Sequence, residues 1–147
     1  MTDSRKAILA ALELPRQPFP SGVLLDELKL LLENLGIETA GTIVQNRTTP
    51  DPAYLLGKGK AEEARLFAAS AGATLLVCNE TLTPGQRANL REITGLEVWD
   101  RPFVIMKIFE SRARTSEAKL QIDMALCRYE IPHLKGLGAR CPASAGG

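Results

Sequence analysis

The sequence predicts an α/β fold: a small, four-stranded, mainly parallel sheet flanked by helices, followed by a long projecting α-helix. Over the first hundred residues, short apolar runs alternate with stretches of helical periodicity, and Gly or Pro separates most of them. Strands that alternate with helices in this way favour a parallel sheet with right-handed crossovers. After Trp99 the alternation stops; Asp100, Arg101 and Pro102 are a plausible helix start, and nothing breaks that helix until Pro132. That second observation predicts the long helix.

The first half of the chain contains two strands and the helix between them. Residues 7–12 are an apolar run that ends before Pro15, which is typical of a buried strand. Leucines recur at helical spacing after Ser21, and Gly36 ends that helix. Residues 37–44 are rich in β-branched side chains and predict the second strand. The connection over residues 45–59 is long for a compact domain, and connections of that length tend to be functional or mobile.

The second half of this unit repeats the pattern twice. Alanines and Phe67 predict a helix over residues 60–71, and residues 73–78 form the clearest buried strand. Thr83, Pro84 and Gln86 combine a capping residue, a proline at the first helical position and a glutamine three residues after the cap. They predict the start of a third helix, which ends at Gly95. Residues 96–99 are the last strand, and the order is β-α-β-α-β-α-β.

The chain divides into three segments on these patterns. Residues 1–100 form an α/β subdomain, residues 101–135 form a long-helix arm, and residues 136–147 form a Gly-, Ala- and Ser-rich tail that we expect to be disordered. Roughly 30 helical residues make a rod about 45 Å long. Its second apolar stretch, residues 120–131, has no obvious packing partner in the chain, so the arm is expected to be an incomplete helical subdomain.

Charge is distributed unevenly along the chain. The net charge is +1, but residues 1–100 carry 10 Lys and Arg against 13 Asp and Glu, whereas residues 101–147 carry 8 against 4. A basic arm on an acidic body favours a phosphate-rich partner for the arm. Arg112, Arg114 and Lys119 are the best candidates for phosphate contact, with Arg128 and Lys135 next. The alternative is that these charges form a solvated helix face.

A glycine- and lysine-rich string, Gly57-Lys58-Gly59-Lys60, lies before the second helix. Two glycines let a phosphate approach the backbone, two lysines neutralise it, and the helix offers its N-terminus. Neither G-x-x-x-x-G-K-[ST] nor G-x-G-x-x-G is complete here. Three interpretations stay open: a flexible basic loop without a ligand, a contact with RNA phosphate, and a nucleotide site.

No catalytic or metal-binding constellation is evident in the sequence. His133 is the single histidine, so triads and two-histidine metal sites have no basis. Three widely spaced cysteines without C-x-x-C spacing argue against a disulfide framework and fit a reducing cytosol. No apolar run approaches the roughly 20 residues that span a bilayer. We expect a cytoplasmic protein that makes no membrane contact.

Several strings together resemble the N-terminal domain of HflX, a family of ribosome-associated GTPases. The strings cover residues 50–63 (PDPAYLLGKGKAEE), 82–90 (LTPGQRANL), 100–101 (DR), 108–115 (IFESRART), 117–121 (EAKLQ), 127–129 (CRY) and 132–138 (PHLKGLG). They occur in order over roughly residues 5–138. The resemblance implies an N-terminal α/β subdomain, then a long-helix subdomain, then a GTP-binding domain.

The resemblance also implies partners and cofactors. It implies binding to the large ribosomal subunit and its RNA, with GTP and Mg²⁺ belonging to a GTP-binding domain that this sequence does not contain. The chain itself is therefore expected to have no GTPase activity. Two alternatives remain: an ATP-binding or ATPase domain that uses residues 57–60, and a module that forms homodimers through the long helix.

Overall fold

The computed structural model describes residues 5–133 of the chain. Within that range the backbone forms four strands and five helices. In chain order they are β1 (Lys6–Glu13), α1 (Ser21–Glu33), β2 (Glu38–Asn46), α2 (Lys58–Ala71), β3 (Leu75–Cys78), α3 (Pro84–Thr94), β4 (Glu97–Asp100), α4 (Arg101–Arg112) and α5 (Ser116–His133). The predicted alternation of strands and helices up to β4 is confirmed.

The four strands form one sheet in the order β2-β1-β3-β4, and every neighbouring pair is parallel. β1 lies between β2 and β3, and its residues 7–12 are fully buried. A parallel strand with helices on both faces is shielded from water on both sides, which is why this run is continuously apolar rather than alternating. The α/β class is therefore confirmed.

The helices lie on both faces of the sheet. The core on one face contains Leu25, Leu28 and Leu32 of α1 together with Phe103 and Val104 of α4. The core on the other face contains alanines of α2 and Leu90 of α3. α4 thus packs against the same core as α1. The predicted α/β subdomain ends at residue 100, before this helix begins.

The prediction of one long projecting helix over residues 101–135 is wrong. α4 ends at Arg112, and Ala113 has an extended backbone with ψ 130°. Thr115 then begins a new helix, because its Oγ1 accepts a hydrogen bond from the Ala118 N–H at 3.0 Å. Glu117 adds negative charge to the first turn of α5, where the helix dipole favours it.

α5 folds back onto the body instead of projecting from it. It contacts α4 and also α3, which lie on opposite faces of the sheet, so it lies beside the β4 edge. Cys127 is buried, and Leu126 and Tyr129 pack against the core that contains α4. The second apolar stretch of the arm therefore has a partner within the chain. Leu120 and Ile131 remain 52% exposed on the outer side of α5.

The long connection between β2 and α2 contains an anchored turn. Asp51 Oδ1 accepts hydrogen bonds from the N–H groups of Ala53 and Tyr54, at 2.8 and 2.9 Å. The Gln86 side chain of α3 donates to the Asp51 carbonyl at 2.8 Å. Leu55 and Leu56 are buried beneath this turn. These bonds hold the turn against α3.

No helix within residues 5–133 is both long enough and apolar enough to cross a membrane. The predicted tail and Lys135 lie outside the described residues, as do Cys141 and most of the last quoted string, 132–138.

Candidate nucleic-acid interface

The structure brings three of the predicted phosphate-binding residues together at one turn. Arg112 ends α4, Arg114 lies in the connection, and Lys119 is in the first turn of α5. All three side chains are exposed. We call residues 109–120 the α4–α5 tip.

The tip lies near the amino-terminal ends of the β-strands. Two contacts show that α1 and α4 run in the same direction: Arg101 Nη2 contacts Glu27 Oε1 at 2.5 Å, and Arg112 Nη2 donates to Asn34 Oδ1 at 2.9 Å. Both helices begin at the carboxyl end of a strand and run back toward the amino-terminal ends of the strands. The hydrogen bond from Arg112 to Asn34 therefore fixes the tip beside the C-terminus of α1.

The basic side chains of the tip form no ion pair with a described carboxylate, although Glu117 lies in the first turn of α5 within the tip. Lys107 of α4 pairs with Glu110 at 2.9 Å, and Arg101 pairs with Glu27. Within residues 5–133, by contrast, Arg112, Arg114 and Lys119 take part in no ion pair. Unpaired cationic groups on an exposed turn suit a polyanion, since binding releases the polyanion's counterions.

Arg128, a further predicted phosphate-binding residue, lies far from the tip along α5. Arg128 is exposed on α5, nine residues beyond Lys119, which corresponds to about 13.5 Å along a helix. It is not part of the tip.

Residues 57–60 form the start of α2 rather than a flexible loop. Gly57 is the N-cap, and its N–H donates to Gln45 Oε1 at 2.8 Å. Lys60 lies 3.4 Å from Glu63, whereas Lys58 is exposed. α2 covers the opposite face of the sheet from α4 and begins at the carboxyl edge, so residues 57–60 and the tip are two separate surfaces. ATP binding at residues 57–60 stays a prediction.

The first helix N-terminus of the fold is closed by a side chain of the chain itself. Glu13, at the end of β1, accepts hydrogen bonds from the Ser21 hydroxyl at 2.7 Å and the Ser21 N–H at 3.1 Å. These bonds lower the pKa of Glu13, with the hydroxyl contributing most. In doubly wound folds this position commonly receives a ligand's phosphate. Here the Glu13 carboxylate accepts hydrogen bonds that such a phosphate would accept.

A polar cluster follows the ends of β3 and β4 at the carboxyl edge. Glu80 Oε2 accepts the Leu12 N–H at 3.0 Å, and burial of Glu80 raises the pKa of its carboxyl group. Asp100 is fully buried; it accepts the Phe103 N–H at 3.1 Å and the Leu82 N–H at 2.9 Å, so it caps α4 and fixes the loop before α3. Within residues 5–133, no group of acidic, histidine and cysteine side chains is placed to hold a metal ion.

Arg87 determines where α5 lies, and sequence reasoning missed this role. Its Nε donates to the Val98 carbonyl of β4 at 2.7 Å, and its Nη1 pairs with Glu130 of α5 at 2.5 Å. The guanidinium also lies over the rings of Phe103 and Tyr129, about 5 Å from each centroid. The sequence shows only that Arg87 lies in the first turn of a well-capped helix. Its ion-pair partner, Glu130, is 43 residues away along the chain. No local pattern encodes such a pair.

The comparisons with known proteins agree with this architecture. A family model described as "GTP-binding GTPase N-terminal" matches residues 23–110, which is more than half of the chain. The chain belongs to this family. The match to this GTPase N-terminal family ends just before Arg112, so the basic residues of the tip lie beyond it.

The curated relatives are HflX proteins, which confirms the resemblance. "GTPase HflX" from Caldanaerobacter subterraneus subsp. tengcongensis is 37% identical over 123 residues, covering 84% of this chain and 29% of that protein. "GTPase HflX" from Escherichia coli is 36% identical over 105 residues, covering 71% of this chain and 25% of that protein. The chain thus spans less than a third of these relatives' length.

Solved structures show the same fold. A GTP-binding protein from the archaeon Sulfolobus solfataricus, solved in complex with GDP, superposes with a TM-score of 0.68 at 21% identity. The superposition covers 90% of this chain and 39% of that one. At 21% identity this similarity shows that the GTPase N-terminal domain has the same fold, and it does not show that the domain binds the same ligand.

Proposed function

We propose that this domain is the ribosome- and RNA-binding part of an HflX-type GTPase, that it acts in the cytoplasm, and that it does not itself hydrolyse GTP. The observation that carries the proposal is the clustering of Arg112, Arg114 and Lys119 on one exposed turn, outside any ion pair within residues 5–133. Membership of the GTPase N-terminal family supports the placement in such a protein.

The tip suits RNA phosphate because the Arg112 side chain and the helix that carries Lys119 are held in place before binding. Arg112 is oriented by its hydrogen bond to Asn34. The ion pair between Arg87 and Glu130 joins α5 to α3, so the helix that carries Lys119 cannot swing freely. A turn that is already ordered loses less conformational entropy on binding, so more of the electrostatic attraction to phosphate contributes to the affinity.

Two features support the proposal that this chain does not hydrolyse GTP. The 147 residues contain no G-x-x-x-x-G-K-[ST] sequence. The N-terminus of α1 is occupied by Glu13. We therefore expect no phosphate release from GTP or ATP by the isolated chain, measured with a phosphate-sensing assay.

The binding test uses large ribosomal subunits and pelleting over a range of salt concentrations. The triple variant Arg112→Ala/Arg114→Ala/Lys119→Ala is compared with Arg16→Ala/Arg47→Ala/Arg65→Ala, which removes the same charge from sites away from the tip. The slope of log K against log salt is negative, and loss of three phosphate contacts reduces its magnitude by about 2. The tip variant is expected to show that loss, and the control variant is expected to bind as the parent chain does.

Two outcomes contradict the proposal. One is the absence of salt-sensitive binding by the parent chain. The other is equal weakening by the two triple variants, which would indicate that only net charge matters.

A further inference from the structure

Phe109 is a large aromatic side chain that the described fold leaves without a packing partner. It is 58% exposed, whereas Phe103 on the same helix is 8% exposed and packs against Trp99 and Tyr129 with ring centroids 5.1 and 5.3 Å apart. α4 therefore has one ring in the core and another in solvent, six residues later. The core does not require the second ring.

Phe109 lies within the basic surface described above. Arg112 follows it by three residues, so the two side chains are neighbours on one face of α4. The Arg112 guanidinium is held by Asn34, and Leu120 of α5 is 52% exposed. The tip thus combines one exposed aromatic ring and one exposed leucine with cations, whereas Lys107 and Glu110 on the same helix neutralise each other.

This combination distinguishes between kinds of RNA. Cations alone bind the phosphates of any RNA and do not distinguish duplex from single strand. An exposed ring adds a stacking surface, which a base in a duplex cannot use because it is already stacked on its neighbours. Sequence-tolerant stacking of an unpaired base on an aromatic side chain is worth roughly 1–3 kcal/mol.

We propose that the α4–α5 tip binds unpaired RNA, with one base stacked on the Phe109 ring while Arg112, Arg114 and Lys119 contact the adjacent phosphates. This inference rests on the proposed function and names the class of RNA that the tip selects. The positive charge of the tip argues for RNA rather than a protein partner as the occupant of this exposed ring, because the ring and the cations belong to one surface.

The test measures fluorescence anisotropy of two labelled RNAs of equal phosphate number, a single-stranded oligonucleotide and a blunt duplex. Phe109→Leu keeps an apolar side chain at this position but removes the aromatic face, and Phe109→Trp keeps that face. The matched control is Phe19→Leu, because Phe19 is equally exposed at 57% but lies in the loop before α1, at the opposite edge of the sheet.

The expected result is a loss of roughly tenfold in single-strand affinity for Phe109→Leu, which corresponds to about 1.4 kcal/mol of lost stacking. Its duplex affinity stays unchanged, and Phe109→Trp and Phe19→Leu bind both RNAs as the parent chain does. RNA binding that Phe109→Leu leaves unchanged, or weakens equally for both RNAs, overturns the inference while the proposed function stands. Weaker pelleting of Phe109→Leu with ribosomal subunits at unchanged RNA affinity also overturns it, since the ring would then contact protein. A parent chain that binds neither RNA nor subunits contradicts the proposed function itself.

Discussion

Arg87 and Glu130 form an ion pair that joins α3 to α5 across the β4 edge, with the arginine side chain 3% exposed and the glutamate 23% exposed. Removing one partner from such a pair leaves a charge in a poorly solvated site, whereas replacing both with apolar groups is often neutral. The pair is thus a test of how firmly α5 is attached.

Glu130→Gln is expected to lower the free energy of unfolding by roughly 3 kcal/mol, because Arg87 stays buried without its counter-charge. Urea unfolding measures this loss. Glu110→Gln, which breaks the more exposed pair with Lys107, serves as the control and is expected to cost less than about 1 kcal/mol. Arg87→Met combined with Glu130→Leu is expected to recover most of the stability. A loss no larger for Glu130→Gln than for Glu110→Gln would contradict this assignment.

Thr115→Ala removes the N-cap of α5 and is expected to cost about 1 kcal/mol. Thr115→Ser keeps the acceptor oxygen and is expected to behave as the parent chain. Hydrogen exchange of the amides in the first turn of α5 measures the effect directly: they exchange faster in the alanine variant alone. Equal protection in both variants would show that tertiary contacts, not the cap, begin this helix.

Glu13→Gln tests the carboxylate that caps α1. The folded-state pKa of Glu13 lies below its ordinary value of 4.5, so its stabilisation is present above that pH and is lost as pH falls through the lower folded value. The parent chain is therefore more stable than Glu13→Gln near neutral pH, and the difference shrinks below pH 4.5. Urea midpoints over a pH series provide the measurement. A difference that is independent of pH would be incompatible with a charged cap.

Glu80→Gln is expected to change stability in the opposite direction from Glu13→Gln: it raises stability near neutral pH. Burial raises the folded-state pKa of Glu80 above 4.5, so the ionised carboxylate destabilises the fold at neutral pH. The glutamine variant, which can still accept the Leu12 N–H, is expected to unfold at higher urea than the parent chain near neutral pH. This advantage disappears as pH falls through the folded pKa and Glu80 takes up a proton. A variant that is less stable than the parent chain at neutral pH would indicate that attraction to Arg101 outweighs burial.

Gly41→Ala places a methyl group against an aromatic ring. A Cβ at this position lies 2.2 Å from Phe67 Cζ, so the ring must move, at a cost of about 1–3 kcal/mol. Phe67→Leu in the same background is expected to relieve part of that cost. The matched control is Gly59→Ala, where a Cβ meets nothing within 4 Å and helix propensity predicts a small gain. Thermal unfolding that ranks Gly41→Ala at or above Gly59→Ala would contradict the close contact.

The sequence predicted the sheet domain well because each of its elements carries a local signal. Apolar runs identify β1 and β3, Gly72 and Gly95 end helices with a left-handed backbone, and Thr83 with Gln86 forms the capping box that its spacing predicts. These features depend only on near neighbours, so a single sequence displays them.

The break between α4 and α5 was missed because the strongest breakers, Gly and Pro, are absent there. Residues 112–119 are mostly good helix formers, and the true signal was weaker: Thr115 and Ser116 followed by Glu117. The sequence predicts the tip as part of a continuous helix, so it does not reveal that Arg112, Arg114 and Lys119 meet at a turn. The exposure of Phe109 depends on tertiary packing, so no local pattern reveals it.

The central place of β1 has a consequence for the nascent chain. β1 precedes both of its neighbours in the sheet along the chain, since β2 and then β3 follow it. Between the synthesis of Asn46 and that of Leu75, one edge of a strand whose residues 7–12 are all apolar stays open, and open apolar edges pair readily with other chains. A chain that stops short of Leu75 is therefore expected to aggregate, and the seven-residue run from Ala7 to Glu13 is the segment from which that aggregation starts.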